Sequence, residues 1–326
     1  MSHRRPVRDD RIASQIMTAA RGGVAIHDKN QQVSEKTTSV PKIKGRIKVV
    51  RADRREVDLQ DQFIGLPLFL ILSGPSLNTH NLPLIHEVGA FSFGVNNSWS
   101  IHRPTFWTCA DPAKKFLSQG WLDPRILKFV PMGKEKNPIR KKAGLTFQDS
   151  GIQTKDCPNV VYYPRNTDFD HEHFLSEITV NWGNQGDKKD SLGIKGGRSV
   201  MLSAIRLSYY LGFRRIYLLG CDFNMEEGKQ NYAFEQERSK GAVIGNNNTY
   251  NALVKRFEAL KPVFSKHGLS LFNCNPKSKL KLFPYRTLED GIEDFRECLP
   301  KRENTLGWYD PPKKELKLRR VSNDGQ

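Results

Sequence analysis

Several short stretches of this 326-residue chain carry groups suited to a phosphate or a nucleotide. Ser73-Gly74-Pro75-Ser76-Leu77 follows the apolar run 66–72. A small glycine-containing turn after a buried strand lets backbone amides approach a phosphate, although a plain strand-to-helix connection has the same pattern. Asn96, Asn97 and Ser98 follow a second apolar run, 90–95. An asparagine amide both donates and accepts, which suits a nucleobase edge or a ribose; a tight turn is the plainer reading. Gly196-Gly197-Arg198-Ser199 offers permissive backbone and then a helix cap. Gly220-Cys221-Asp222 leaves a carboxylate just past the apolar run 216–219. Tyr232 has a hydroxyl of the kind that stabilises charge on a departing phosphate, or that merely packs half-buried. No CxxC or His/Cys cluster has zinc spacing and no DxD pair ends a strand, so no metal is expected.

Positioning these groups requires an α/β framework. Met201, Ala204, Ile205, Tyr209 and Leu211 recur at helical spacing, and Gly212 follows as a left-handed stop. The apolar runs 66–72, 90–95, 105–111, 126–130, 160–163, 216–219 and 269–272 read as strands, the continuous ones as strands buried on both faces of a parallel sheet. Short helices are expected over 82–87 and after Asp111-Pro112, with Asp111 as N-cap. A longer one is expected over 250–266, capped by Asn248 or Thr249. In open α/β sheets ligands bind beyond the carboxyl ends of the strands, where the phosphate-suited turns fall.

The strand running into Gly74-Pro75-Ser76-Leu77 resembles the opening of the bacterial sialyltransferases of the Campylobacter type and of the related pterin-diphosphokinase-like proteins. Residues 91–97 are similar to that family's second strand and its nucleotide-contacting asparagine. Residues 211–223, Leu-Gly-Phe-Arg-Arg-Ile-Tyr-Leu-Leu-Gly-Cys-Asp-Phe, resemble its LGYKEIYLSGIDF segment. Gln230-Asn231-Tyr232-Ala233-Phe234 resembles its SYAF segment, and Asn273-Cys274-Asn275-Pro276 its CLCPNS ending. The likeness runs over residues 66–282. It implies a Rossmann-like GT-A variant fold, a mostly parallel sheet flanked by helices, and a nucleotide-sugar donor, CMP- or UDP-linked, used without a metal. It further implies donor contacts from Gly74, Pro75, Ser76, Asn96, Asn97, Ser199, Asn273 and Asn275, with Tyr232 serving the leaving nucleotide.

The chain departs from that pattern at the general base. The sialyltransferases carry a histidine in the loop before the last helix. Here Asn246, Asn247 and Asn248 occupy the neighbourhood, and no histidine lies between Ala242 and Lys266. Asparagine does not accept a proton at neutral pH, so the base is sought in Asp222, His171 or His173. His267 is expected to pack near the helix end.

Lys plus Arg is 52 against Asp plus Glu 35, a formal net charge of +17, which favours a polyanionic partner or a basic surface. The charge concentrates in a basic arm over 1–60 (Lys42, Lys44, Arg46, Lys48, Arg51, Arg54, Arg55) and in a tail (Lys313, Lys314, Lys317, Arg319, Arg320) beside Trp308 and Tyr309. A cluster of Lys134, Lys136, Arg140, Lys141 and Lys142 reads as a solvated loop or as the border of an acceptor site. The chain divides into the arm, a donor domain over 61–285 with a lid or acceptor insertion at 165–195, and a helical segment with tail over 286–326. Within the arm, Val49, Val50 and Val57 are candidates for an extra edge strand. Five cysteines without paired spacing suit a reducing compartment, and no apolar run spans a bilayer, so a cytoplasmic protein is expected, in a host's cytoplasm if viral. Two classes of function fit: a glycosyltransferase acting on a polyanionic acceptor such as modified phage DNA, or a nucleic-acid-binding protein on a degenerate transferase scaffold. Pyrophosphoryl transfer, as in the pterin-related proteins, is a third.

Overall fold

The computed structural model describes residues 46–143, 146–185, 187–234 and 239–299. The first 45 residues, with Lys42 and Lys44, and the tail from residue 300 lie outside them. In chain order the regular elements begin with β1 (Pro67–Ile71), α1 (Pro83–Glu87), β2 (Phe91–Val95), β3 (Phe106–Thr108), α2 (Ser118–Leu122) and β4 (Leu127–Pro131). A hairpin of β5 (Pro138–Ala143) and β6 (Thr146–Gln153) follows, then β7 (Val160–Tyr163) and the two-residue strands β8 (Arg165–Asn166) and β9 (Val180–Asn181). The chain continues with α3 (Val200–Leu211), β10 (Arg215–Leu219), α4 (Lys240–Lys266), β11 (Ser270–Asn273) and α5 (Leu288–Cys298).

Seven strands form one sheet in the order β11-β10-β1-β2-β3-β4-β7, and every pairing in it is parallel. From β1 the chain steps outward to β7, then returns to the other side of β1 as β10. The order therefore reverses between β1 and β10, and this is where an open α/β sheet leaves a crevice for ligands. All five residues of β1 are buried, because both faces of the sheet are covered. Leu68 and Leu70 join the core that contains α3 and α4, whereas Phe69 and Ile71 join Ile85 of α1 and Leu288, Ile292 and Phe295 of α5 on the opposite face. That division is the period-two alternation of a strand.

Ser199 caps α3 by accepting from the Met201 amide, and Gly212 ends it with φ 110°. A β-carbon at residue 212 would stand 2.9 Å from the Ile64 nitrogen, so the stop needs glycine for space as well as for φ. The helix lacks the single apolar face its spacing suggests: every residue from Met201 to Leu211 is buried. Ile47, Val49, Leu59 and Phe63, together with Phe174 and Leu175, share its core.

Three local expectations are corrected. The strand over 105–111 is shorter, Phe106–Thr108, and Asp111 caps no helix; a 3-10 turn over Ala113–Lys115 follows, and Asp111 pairs with Lys115 at 3.2 Å. The last long helix starts ten residues early, at Lys240, so Asn246–Asn248 lie within it. Ser239 caps it, and the Asn247 side chain bonds both the amide and the carbonyl of Met225, which offsets the poor helix propensity of the asparagines. The basic run over 134–142 is not wholly loop, since β5 begins within it. Val50 forms an antiparallel bridge to Tyr162, extending the β7 edge as the valine pattern suggests.

Candidate functional site

The turns after β1 and β10 are built into each other. The Gly74 amide donates to the Gly220 carbonyl at 2.9 Å. The Asp222 carboxylate then closes over Gly74: its Oδ2 accepts from the Ser76 amide (3.3 Å) and hydroxyl (2.9 Å), and its Oδ1 from the Asn275 amide group (2.8 Å). A β-carbon at residue 74 would stand 1.8 Å from that Oδ2 and 2.6 Å from the Gly220 carbonyl oxygen, so glycine is required here by close approach. Burial pushes the Asp222 carboxyl above the usual carboxylate range, while the bonds from Ser76 and Asn275 and the charge of His80 pull it back. Asn273 is turned inward: its amide group donates to the Leu280 carbonyl and its oxygen accepts the Asn275 amide. Ser76, Asn273 and Asn275 thus buttress Asp222 and the loops, and Pro75 opens the 3-10 turn that carries Ser76.

Beside this knot lies a cavity of about 300 Å³, lined by Gly74, Asn96, Ser199, Asp222 and Tyr232 among others. The sequence places these residues in five separate segments; the sheet brings them to one end. The N-terminus of α3 opens here, with Ser199, Val200 and Met201 on the wall and Arg198 beside them. The helix dipole and a guanidinium converge there, an arrangement that favours an anion. Trp182 also lines the cavity, with Arg165 at 4.6 Å and Arg198 at 5.4 Å from the ring centre. Asn96 has φ 52°, and its carbonyl accepts the Trp107 indole N–H at 2.6 Å, fixing the turn after β2. Ser98 holds that turn to β1 by accepting from the Val95 amide and donating to the Ile71 carbonyl.

A second cavity, of about 430 Å³, adjoins the first and shares Ser73, Asn96, Asp111 and Tyr232 with it. Asn97, Lys114, Lys115, Phe116, Leu117, Arg140 and Phe234 line the remainder of its wall. Tyr232 is held at the junction through its neighbour: the Ala233 amide donates to the Ser73 carbonyl at 2.9 Å, and Asn78 donates to the Ala233 carbonyl at 2.9 Å. The Tyr232 and Phe234 rings stack with centroids 5.2 Å apart.

His171 and His173 line neither cavity. His171 is buried 3.7 Å from Asp190, which also faces the buried Arg256 at 3.3 Å; burial lowers its basicity. His173 is exposed and pairs with Asp170 at 2.8 Å, which raises its pKa. His267 is buried at the end of α4 and contacts the Tyr209 hydroxyl at 3.4 Å. Sequence reasoning did not single out Asp111 as a site residue, nor Trp182, Arg198, Lys114 and Lys115. For Asp111 the signal was present, a carboxylate just beyond the carboxyl end of a strand, the place where Asp222 was noticed.

Among the described residues no cluster of three or more His, Cys, Asp or Glu is arranged to hold a metal ion, and no helix is long and apolar enough to cross a membrane. No protein-family model matches the chain. No curated protein sequence is significantly similar to it. The solved structure of the MAf glycosyltransferase from Magnetospirillum magneticum AMB-1 is similar at 14% identity and a TM-score of 0.38, covering 79% of this chain and 40% of that one. The chain thus spans well under half the length of that protein.

Proposed function

We propose that the chain transfers a sugar from a nucleotide-linked donor to an acceptor hydroxyl. The observation that supports this most is the pair of neighbouring cavities beyond the carboxyl ends of the strands, which share Ser73, Asn96, Asp111 and Tyr232. Two substrates that must exchange a group need two pockets with one common wall, and holding them there removes much of the entropic barrier.

The first cavity takes the donor. Its phosphates meet the α3 N-terminus and Arg198, and Asn96 and Trp182 are available to the nucleoside. In the second cavity the acceptor hydroxyl oxygen attacks the anomeric carbon. The bond from that carbon to the phosphate oxygen breaks, and the nucleotide leaves with the electron pair. Tyr232 donates to the negative charge that develops on it. The hydroxyl proton passes to a carboxylate at the junction. Asp222 has both oxygens engaged and the two histidines line neither cavity, so this role falls to Asp111.

Thermal denaturation of the full chain over a panel of CMP- and UDP-sugars, free nucleotides including ATP, a pterin and duplex DNA tests the reading. A nucleotide sugar at a hundredfold its Kd is expected to stabilise the fold by about 2.7 kcal/mol. Arg198→Gln should weaken that shift. Stabilisation by ATP and a pterin, with none by nucleotide sugars, would turn the reading toward pyrophosphoryl transfer; stabilisation by DNA alone would turn it toward nucleic-acid binding.

A further inference from the structure

We propose that the second cavity binds an acceptor bearing a phosphate monoester, held by Lys114, Lys115 and Arg140. This rests on the two-cavity transferase reading above. The three cations come from two different elements: the lysines from the 3-10 turn after β3, and Arg140 from β5, which packs on that turn. The hairpin thus supplies a charge that the α/β sheet by itself would not place there. Against three positive charges the described residues of the wall have one carboxylate, Asp111, paired with Lys115 at 3.2 Å. Among the described residues of that wall, two positive charges are left without a counter-charge. A phosphate monoester carries about −1.5 to −2 at neutral pH and balances them, whereas a carboxylate or a single phosphodiester carries only one charge. Arginine adds a planar fork that matches two phosphate oxygens at once.

The rest of the wall suits a small polyhydroxylated body between that phosphate and the junction. Asn97 also lines this wall, and its side-chain amide is of the kind that bonds an acceptor hydroxyl. Phe116, Phe234 and Tyr232 add aromatic surface to the wall, of the kind on which the C–H face of a sugar packs. A volume of about 430 Å³ lies in the usual range of small-molecule pockets. A phosphorylated monosaccharide therefore matches the cavity in charge, polarity and size, with its free hydroxyl toward Asp111.

The test is calorimetric titration of the full-length chain, first saturated with a nucleotide sugar so that the first cavity is filled, with glucose 6-phosphate, glucose, glucuronate and a short DNA duplex. Glucose 6-phosphate should bind at least tenfold more tightly than glucose or glucuronate. Lys114→Gln/Arg140→Gln should abolish that preference, while circular dichroism reports an intact fold. Equal binding of glucose 6-phosphate by wild type and variant overturns the proposal, as does equal affinity for glucuronate. DNA binding more tightly than every sugar, and lost in the same variant, also overturns it in favour of a nucleic-acid acceptor. The initial saturation step keeps the two failures apart: a chain that binds no nucleotide sugar fails the transferase reading, whereas one that binds the donor but shows no phosphate preference fails this inference alone.

Discussion

The Gly74 backbone and the Asp222 carboxylate touch so closely that residue 74 has no room for a side chain: an added β-carbon would lie 1.8 Å from Oδ2. This contact fixes the turn after β1 against the turn after β10, across the place where the sheet order reverses. Asp222 cannot simply swing away, because Ser76 and Asn275 hold both of its oxygens. Nor does moving it suffice, since the Gly220 carbonyl oxygen is 2.6 Å from the same position. Gly74→Ala should therefore cost about 1–3 kcal/mol, the usual range for overpacking, and should weaken donor binding as the turn shifts. Urea denaturation and donor calorimetry check it. Wild-type stability in the variant would mean that the turn is freer than the contact implies.

The next prediction concerns pH. His102 is buried, its ring bonded to the Ser92 hydroxyl at 3.1 Å and stacked on His86 at 4.4 Å. Burial, then His86 and Arg103, lower its pKa to about 3. The folded state thus binds fewer protons than the unfolded one between about pH 3 and 6.5. Stability from this group is present above the unfolded value and is lost as pH falls toward 3, with a slope of up to about 1.4 kcal/mol per pH unit. Other buried histidines, among them His171 and His267, titrate in the same sense, so the readout is a difference. His102→Asn should be less stable than wild type at pH 7, with the gap narrowing toward pH 4. A constant gap would mean that His102 does not titrate with unfolding.

The sequence exposed the sheet because each core strand is a short apolar run ending in small or polar residues, and Gly212 and Ser199 delimit α3 by local chemistry alone. It hid the β5–β6 hairpin, whose Lys-rich run has no apolar alternation to mark it. It also hid the first turns of α4, where glycines and asparagines speak against a helix that is secured by Ser239 and by Asn247 on a distant loop. The site was half legible. Gly74, Asn96, Ser199 and Asp222 each stand beside a recognisable element end. The roles of Ser76, Asn273 and Asn275 are tertiary, because what they hold is Asp222 from other segments. Lys114 and Arg140 converge only once the hairpin folds onto the turn after β3.

Tyr232 stands at the junction of the cavities, anchored through Ala233 to Ser73. Tyr232→Phe keeps the ring and its stacking on Phe234 but removes one donor. Turnover with a proven donor should fall about ten- to a thousandfold, and donor affinity by calorimetry should change far less, since the charge to be stabilised is greatest in the transition state. Wild-type turnover would reduce Tyr232 to packing.

Asp111 supplies the last prediction. It lines both cavities, and its side chain is half exposed, with Lys115 at 3.2 Å. An exposed pair of this kind contributes roughly 0–1 kcal/mol, so losing it should hardly alter the melting temperature. A structural role and a catalytic one therefore part company in experiment. If Asp111 takes the acceptor's proton, Asp111→Asn preserves shape and donor binding but lowers turnover by about 10²–10⁴, the range for loss of a general base. Asp111→Gly opens space where a small carboxylate can stand in for the missing one. Added formate should then restore part of the turnover in the glycine variant and none in the asparagine variant, where the amide still fills the position. Turnover at the wild-type level in Asp111→Asn, or a loss that formate leaves untouched in Asp111→Gly, would remove the proton-accepting role from this residue.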